Sequence, residues 1–491
     1  PDDLDFGIEL ARAQVRASQS KDAEASIEAL RKLPAPLGED PRIDVVEAYL
    51  AVLLGDPPRA ARSSRRAIDK AERLGMRTLA AEAFIMEGHG LFHQGRAAEA
   101  RTALLEARSR FAFVHDRGGE GNALLELGQQ ESQQTTQGPE LAREHLQQAL
   151  EIFNLTGHLQ GSALAHLGLG NAWGTTGRLK EAEAEFRLAL QRFEAGAAQK
   201  GGIAAAHANL AIVQSTRGEL AAAGESLSTA LELVRKLGNR RLEGNALGTR
   251  AELGVLTGRL EQARADAAAA TQIHQDLHDP GATAAFQVSS AQISRLLGEP
   301  AAARTLLEGA LPALRAADQP DLLEMGLLTQ LQLLLDAGQP ERVLAERGAW
   351  TERFGLPYRL GSQASAHSRF ALALLALGRL AEAREEAAAA RRVVETSEEA
   401  APRAESLFAQ ARVLSAAGEA QAARALLESA SEIAQRAGRP SEYELELALA
   451  ELEKARRAPA WRPTLENIAR RAGAENFVFY ANRARALLAS D

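Results

Sequence analysis

The 491-residue chain has no cysteine, only 3 Met, and an aromatic content of 4%. The missing cysteine excludes a disulfide framework, cysteine–zinc sites and thiol catalysis, and is compatible with a reducing or an oxidising compartment. So few rings suit neither a core built on large aromatics nor a carbohydrate site; they suit helices packed closely through alanine. The chain also lacks an excess of positive charge. Its 57 Lys+Arg stand against 65 Asp+Glu, a formal charge of -8, so nothing in the overall balance draws in nucleic acid or an anionic membrane. The longest unbroken apolar run, Phe370 to Leu377, is far short of the roughly 18 residues of a membrane span. The chain opens on Pro1 with Asp2, Asp3 and Asp5, without the basic-then-apolar order of a signal peptide. The missing initiator Met suggests a trimmed fragment, and a cytoplasmic location is expected.

What the chain does contain is a period. A turn glycine is followed five residues later by one alanine and twelve residues later by another, at Gly55, Gly95, Gly177, Gly218, Gly258, Gly298, Gly378 and Gly418. Two variants complete the series: Gly338, followed by Val343 and Trp350, and a lengthened turn around Gln137-Gly138, followed by Ala142 and Ala149. From Gly218 to Gly418 five consecutive intervals are 40 residues each. A fixed period in this range signals a stack of identical supersecondary units.

The helix after each turn carries one apolar stripe, as in Ala97, Ala100, Leu104, Ala107 and Phe111, or Leu220, Ala223, Leu227, Ala230 and Val234. Seven residues before the turn glycine stands a small residue, Ala48, Gly88, Gly170, Ala211, Ala251, Ala291, Ala371 or Ala411, with Leu331 as the exception. Small residues on facing stripes let two helix axes approach closely. The glycine supplies a left-handed backbone angle for the reversal. Each unit is therefore predicted to be an antiparallel helical hairpin, and because a hairpin cannot bury both faces alone, neighbours must stack, with contacts confined to adjacent units. The predicted class is all-α, a right-handed superhelical solenoid.

Three regions follow. Residues 1–42 read as an irregular capping hairpin and a Pro/Gly loop, 43–436 as an array of about ten repeats, and 437–491 as C-terminal capping helices that concentrate Trp461, Phe477, Phe479 and Tyr480. The last region is expected to begin with a helix from Ser441, opened by a Ser-x-x-Glu box of Ser441 and Glu444.

With Leu169-Gly170, Gly177, Ala182 and Ala189 in place, the pattern resembles the tetratricopeptide repeat family, in which a small residue in the first helix, a turn glycine and two second-helix alanines recur. The period of about 40 is similar to the family's longer-helix branch, which includes kinesin light chains, bacterial quorum-peptide receptors and helical sensor regions of large bacterial regulators. The segment Leu33-Pro34-Ala35-Pro36, followed by Gly38 to Asp44, looks like the lead into the arrays of bacterial Ser/Thr kinases and winged-helix regulators. The resemblance implies a groove lined by the first helices, in which the Asn after the small residue, here Asn171, bonds a bound peptide's main chain.

Reactive chemistry is not apparent. His89 and His93, one helical turn apart, lack a third metal ligand in their unit. His274 and His278 read as a surface pair at a helix end. Gly168, Gly170 and Gly174 follow a helical segment where a dinucleotide loop needs a strand. No metal or other cofactor, and no enzymatic activity, is expected.

Aligned on the turn glycines, Asn122, Gln129, Asn171, Asn209, Asn245, Glu252, Gln292, Arg295 and Gln332 fall where first helices face the groove. Asparagine is a poor helix former that carries both a donor and an acceptor, so it suits either a clamp on an extended peptide or a cross-link between helices. Ile85, Phe92, Leu328 and Leu335 fit the groove or the core. The expected function is a non-enzymatic scaffold for peptide or protein partners, the recruitment or sensor arm of a bacterial signalling protein. A standalone receptor for a signal peptide or small molecule is the alternative.

Overall fold

The computed structural model describes residues 3–16, 19–132, 138–196, 200–316, 320–354 and 360–490. Pro1, Asp2, Gln137 and Asp491 lie outside the described residues. Among the described residues there is no strand, and no helix is long and apolar enough to cross a membrane. Two compact units are present, Pro1–Ala172 with Gln191–Gly196, and Trp173–Leu190 with Ala197–Asp491.

The first unit holds α1 (Leu4–Arg16), α2 (Ser20–Arg31), α3 (Pro41–Leu54), α4 (Pro57–Arg73), α5 (Arg77–Phe92), α6 (Ala97–Phe113), α7 (Arg117–Glu131), α8 (Gly138–Leu155) and most of α9 (Leu159–Thr175). The second holds most of α10 (Leu179–Ala195), then α11 (Lys200–Arg217), α12 (Leu220–Leu237), α13 (Arg240–Leu256), α14 (Leu260–Asp276), α15 (Pro280–Leu296), α16 (Pro300–Ala316) and α17 (Pro320–Asp336). It continues through α18 (Pro340–Ala345), α19 (Arg347–Phe354), α20 (Leu360–Ala376), α21 (Leu380–Val393), α22 (Ala400–Ala416), α23 (Ala420–Ser429) and α24 (Ser431–Arg436). It ends with α25 (Arg439–Ala455), α26 (Trp461–Ala474) and α27 (Val478–Ala489).

Consecutive helices pair as the period predicts. The turn glycines Gly55, Gly95, Gly177, Gly218, Gly258, Gly298, Gly338, Gly378 and Gly418 all take left-handed backbone angles, φ 65 to 83°. The small residues seven positions earlier are buried against the second helices, and a Cβ on Gly88 would stand 2.7 Å from Leu104 Cγ. Gly168 has the same explanation, since its Cβ would meet Leu146 at 2.7 Å. First helices are started by Asp40, Asp116, Asn239 and Asp279, and the second helix α4 by Asp56; each of these side chains accepts from a backbone N–H group inside the first turn. Where Leu331 and Trp350 replace the small residues, the second helix breaks into α18 and α19.

Three expectations need correction. His274 is not on the surface: it is buried, its ring 5.2 Å from that of Phe286, and His278 is a turn residue at φ 53°. The helix expected from Ser441 begins at Arg439, capped by Gly438, so Ser441 lies inside its first turn and Glu444 is released for other contacts. Contacts in the second unit are also not confined to adjacent hairpins, because its later segments return to the turn glycines of its earlier ones.

That return is stepwise. Lys180, just past Gly177, pairs with Glu398 at 3.0 Å, and its backbone N–H donates to the same carboxylate. The Arg436 guanidinium donates to the carbonyl of Arg217 at 2.7 Å, beside Gly218. A Cβ on Gly258 would lie 3.6 Å from Phe477, and one on Gly298 only 2.6 Å from Val478. Behind these contacts lies a shared core in which Ala251, Ile293 and Leu296 of α13 and α15 pack with Tyr443, Leu447, Phe477 and Tyr480 of α25 to α27. Tyr443 and Phe477 are fully buried there.

Two turns separate the strain of reversal from this closure. Gly378 (φ 72°) has open space around it, so Gly378→Ala should cost about 1 kcal/mol from the backbone angle alone. Gly298→Ala adds a clash with Val478, and should cost roughly 1–2 kcal/mol more. Urea titrations that gave equal losses for the two variants would remove the closure from the stability of the unit.

Candidate functional site

The second unit holds a half-open hollow of about 830 Å³. Its wall is a register: the residues three, six and nine positions before successive turn glycines share one face of each first helix. Val255, Arg295 and Leu335 occupy the first of these positions, Gln292, Gln332, Leu372 and Arg412 the second, and Thr329, Arg369 and Ala409 the third, and all of them line the hollow. The far side is closed by Ser441 and Glu444 of α25 and by Phe479, Tyr480 and Arg483 of α27. The closure seen in the fold therefore converts an open groove into a walled space.

Charged side chains in the wall are paired. Arg295 forms an ion pair with Asp336, and its guanidinium lies 4.1 Å from the ring centroid of Phe479. Arg369 stands 3.1 Å from Glu405. Arg412 and Arg483 share Glu444 and Glu451 at 2.7 to 3.0 Å, which ties α22, α25 and α27 together. Burial would push the Glu444 carboxyl up, but the two neighbouring guanidinium groups pull it down to about 2.

The nine groove positions read from the sequence separate in space. Gln292, Arg295 and Gln332 come together in the hollow. Gln292 donates to the Thr329 hydroxyl at 2.8 Å, linking α15 to α17, and Gln332 donates to Asp336 at 2.9 Å. Asn209, Asn245 and Glu252 belong to the same unit but do not line the hollow, while Asn122, Gln129 and Asn171 belong to the first unit. There Asn122 and Gln129 share a helix face with Glu126, whose carboxyl burial pushes up to about 7. Leu328 and Leu335 line the hollow, and Ile85 lies in the core of the first unit.

The sequence reading missed Arg369, Leu372 and Arg412, although extending the register of Gln292 and Gln332 to Gly378 and Gly418 finds Leu372 and Arg412, and that of Thr329 finds Arg369. It also missed Glu444, Phe479, Tyr480 and Arg483, for which no local signal exists, because they reach the hollow through the closure. His89 and His93 lie side by side with ring centroids 4.5 Å apart. Burial, followed by the neighbouring His93, lowers His89 to about 4. Among the described residues no group of three or more His, Cys, Asp or Glu is arranged to hold a metal ion.

Two measurements test the electrostatics. Arg483→Met leaves Glu444 and Glu451 to share one guanidinium; with 33% of the Arg483 side chain in water, the cost should be about 2 kcal/mol at neutral pH, below that of breaking a fully buried pair. Because the folded-state carboxyl of Glu444 lies below its ordinary 4.5, its stabilisation is complete above that value and lost as pH falls toward 2, so the deficit of the variant should shrink over the same window. A deficit independent of pH would point to lost packing instead. Glu252 works in the opposite sense: it reaches water, yet the surrounding protein pushes its carboxyl up to about 7. Ionising it costs stability between 4.5 and 7, so Glu252→Gln should raise the melting temperature at pH 8 and leave it unchanged at pH 4. An unchanged melting temperature at both would show that Glu252 is hydrated as in an unfolded chain.

No family model matches the sequence, and no curated protein matches it. Solved structures are similar in fold. A Rap protein complexed with competence and sporulation factor aligns at a TM-score of 0.49 and 16% identity, over 78% of this chain and 100% of that one. A signal transduction ATPase with a tetratricopeptide repeat sensor from Pyrococcus horikoshii aligns at 0.46 and 16%, over 64% of this chain and 48% of that one. The Cut9-Hcn1 hetero-tetramer of the APC/C aligns at 0.47 and 11%, over 98% and 96%. By its own hairpin geometry, with left-handed turn glycines and small residues between paired helices, the chain is an all-α tetratricopeptide-like array of the long, roughly 40-residue type.

Proposed function

We propose that the chain is a non-enzymatic recognition module that receives a segment of a peptide or protein partner in the hollow of its second unit. The observation that carries this reading is the wall itself. Seven first-helix or closing-helix elements contribute side chains to one space, and the lining mixes apolar residues such as Met325, Leu328, Leu372 and Phe408 with amides, hydroxyls and guanidinium groups. Such a lining offers an extended chain both apolar contact and hydrogen bonds spread over many modest interactions. Within this reading the module serves as the recruitment or sensor arm of a bacterial signalling protein. A second reading, a standalone receptor for a signal peptide or small molecule, is favoured by the size of the hollow, which falls in the range of small-ligand pockets. Coding sequence upstream of Pro1 separates the two, an adjoining kinase or DNA-binding domain favouring the recruitment arm.

Site-specific photo-cross-linking in the source organism tests the reading directly. A cross-linker at Leu372, in the wall, should capture a defined partner segment, and one at Glu428, on the exposed face of a second helix, should not. Capture of the same proteins from both positions, or of none from Leu372, would count against the hollow as the binding site.

A further inference from the structure

The charges of the hollow specify its occupant more closely. Its described lining contains four arginines and four carboxylates, so the wall as a whole is balanced. Each of the four guanidinium groups also has its own carboxylate within ion-pair distance: Asp336 for Arg295, Glu405 for Arg369, and the Glu444–Glu451 pair for Arg412 and Arg483. A phosphate or carboxylate seeking these guanidinium groups would have to displace a carboxylate that is already seated, and an ammonium seeking Asp336, Glu405 or Glu444 would have to displace a guanidinium; the fourth lining carboxylate, Asp321, stands exposed at the start of α17. Either exchange leaves a partly buried charge without its partner.

The wall nevertheless keeps hydrogen-bonding capacity for neutral groups. Arg369, bound to Glu405 and the Ser365 carbonyl through Nη1, has a buried Nε–H with no partner among the described residues, which a carbonyl entering the hollow would reach only as the side chain shifts. Gln292 and Gln332 use their amide nitrogens on Thr329 and Asp336, which leaves the amide oxygens as acceptors. Donors and acceptors of this kind match the carbonyl and N–H groups of a main chain. The same lining includes Leu372 and Met325, which match uncharged side chains.

We infer that the hollow takes an extended, net-uncharged peptide segment with apolar side chains, held through its main chain, and discriminates against acidic, phosphorylated and basic segments because its arginines are already neutralised from within the chain. This inference rests on the proposed function above and narrows its partner class. It has a physical corollary in solution: binding that neither forms nor breaks a net ion pair is nearly insensitive to salt.

The test is selection of a randomised peptide library on the intact chain. Enriched sequences should be apolar with a net charge near zero, should compete with one another, and should lose less than about threefold in affinity between roughly 50 and 500 mM NaCl. Selection on Leu372→Glu should shift enrichment toward peptides carrying one Lys or Arg; Ser362→Glu, at another lining position, makes the same change should the first variant fail to fold. Enrichment of strongly charged peptides by the unaltered chain, with affinities falling tenfold or more over that salt range, would overturn the neutral-segment inference and leave the binding function standing. Failure to enrich any peptide, or enrichment that both substitutions leave unchanged, would overturn the binding function as well.

Discussion

Close approach between paired helices is the constraint on which everything else depends. Two helices can lie side by side at short distance only if little stands between them and if the chain reverses in a few residues. Alanine and glycine at the contact meet the first condition, and glycine at φ 65 to 83° meets the second. Because these choices recur every 40 residues or so, each hairpin presents the same face to the interior. A recurring face is what makes three positions per helix into a wall. The hollow is thus a by-product of repetition, and its chemistry is set by the residues that repetition leaves free to vary: Gln292, Gln332, Leu372 and Arg412 occupy equivalent places, yet two are amides, one is apolar and one is a cation.

Buried charge is handled in the same local manner in both units. In the first, Asp44 is fully buried and receives Arg31, Arg66 and Lys70 at 2.6 to 3.1 Å, and His145 meets Glu131 at 2.6 Å. In the second, Arg250 grips Asp266 with two hydrogen bonds of 2.7 Å. Each of these joins helices that are near neighbours along the chain. The Arg412, Arg483, Glu444 and Glu451 cluster differs in its place, tying the wall helix α22 to the closing helices α25 and α27 at the hollow. A structural ion network there forms part of the wall of the hollow.

How much of this was legible beforehand depends on range along the chain. The hairpins were readable because their signals are local: Gly298, Ala303 and Ala310 lie within one unit, and the stripe of α12 can be read from five residues. The register of the wall was half readable, since Gln292 and Gln332 drew attention as amides while Leu372, in the same place, looked like any other apolar residue of a helix. The burial of His274 escaped because a His beside Asp276 and Asp279 at a helix end has a solvated look, and its packing on Phe286 is a property of the next hairpin. The closure was not readable at all. Nothing near Val478 indicates that it will press on a glycine 180 residues earlier, since that meeting is set by the accumulated rotation of several hairpins.

A stack of repeats ordinarily has two free ends, and thermal motion unzips it from whichever is weaker, one hairpin at a time. In the second unit the terminal helices are seated on Gly258 and Gly298, so the last hairpin is held by early ones as well as by the one before it. Fraying from that terminus must therefore break contacts on two sides at once. A hoop of this kind melts as a whole or stays shut, and amide hydrogen exchange in α25 to α27 would run at the pace of the core and not at that of a tail.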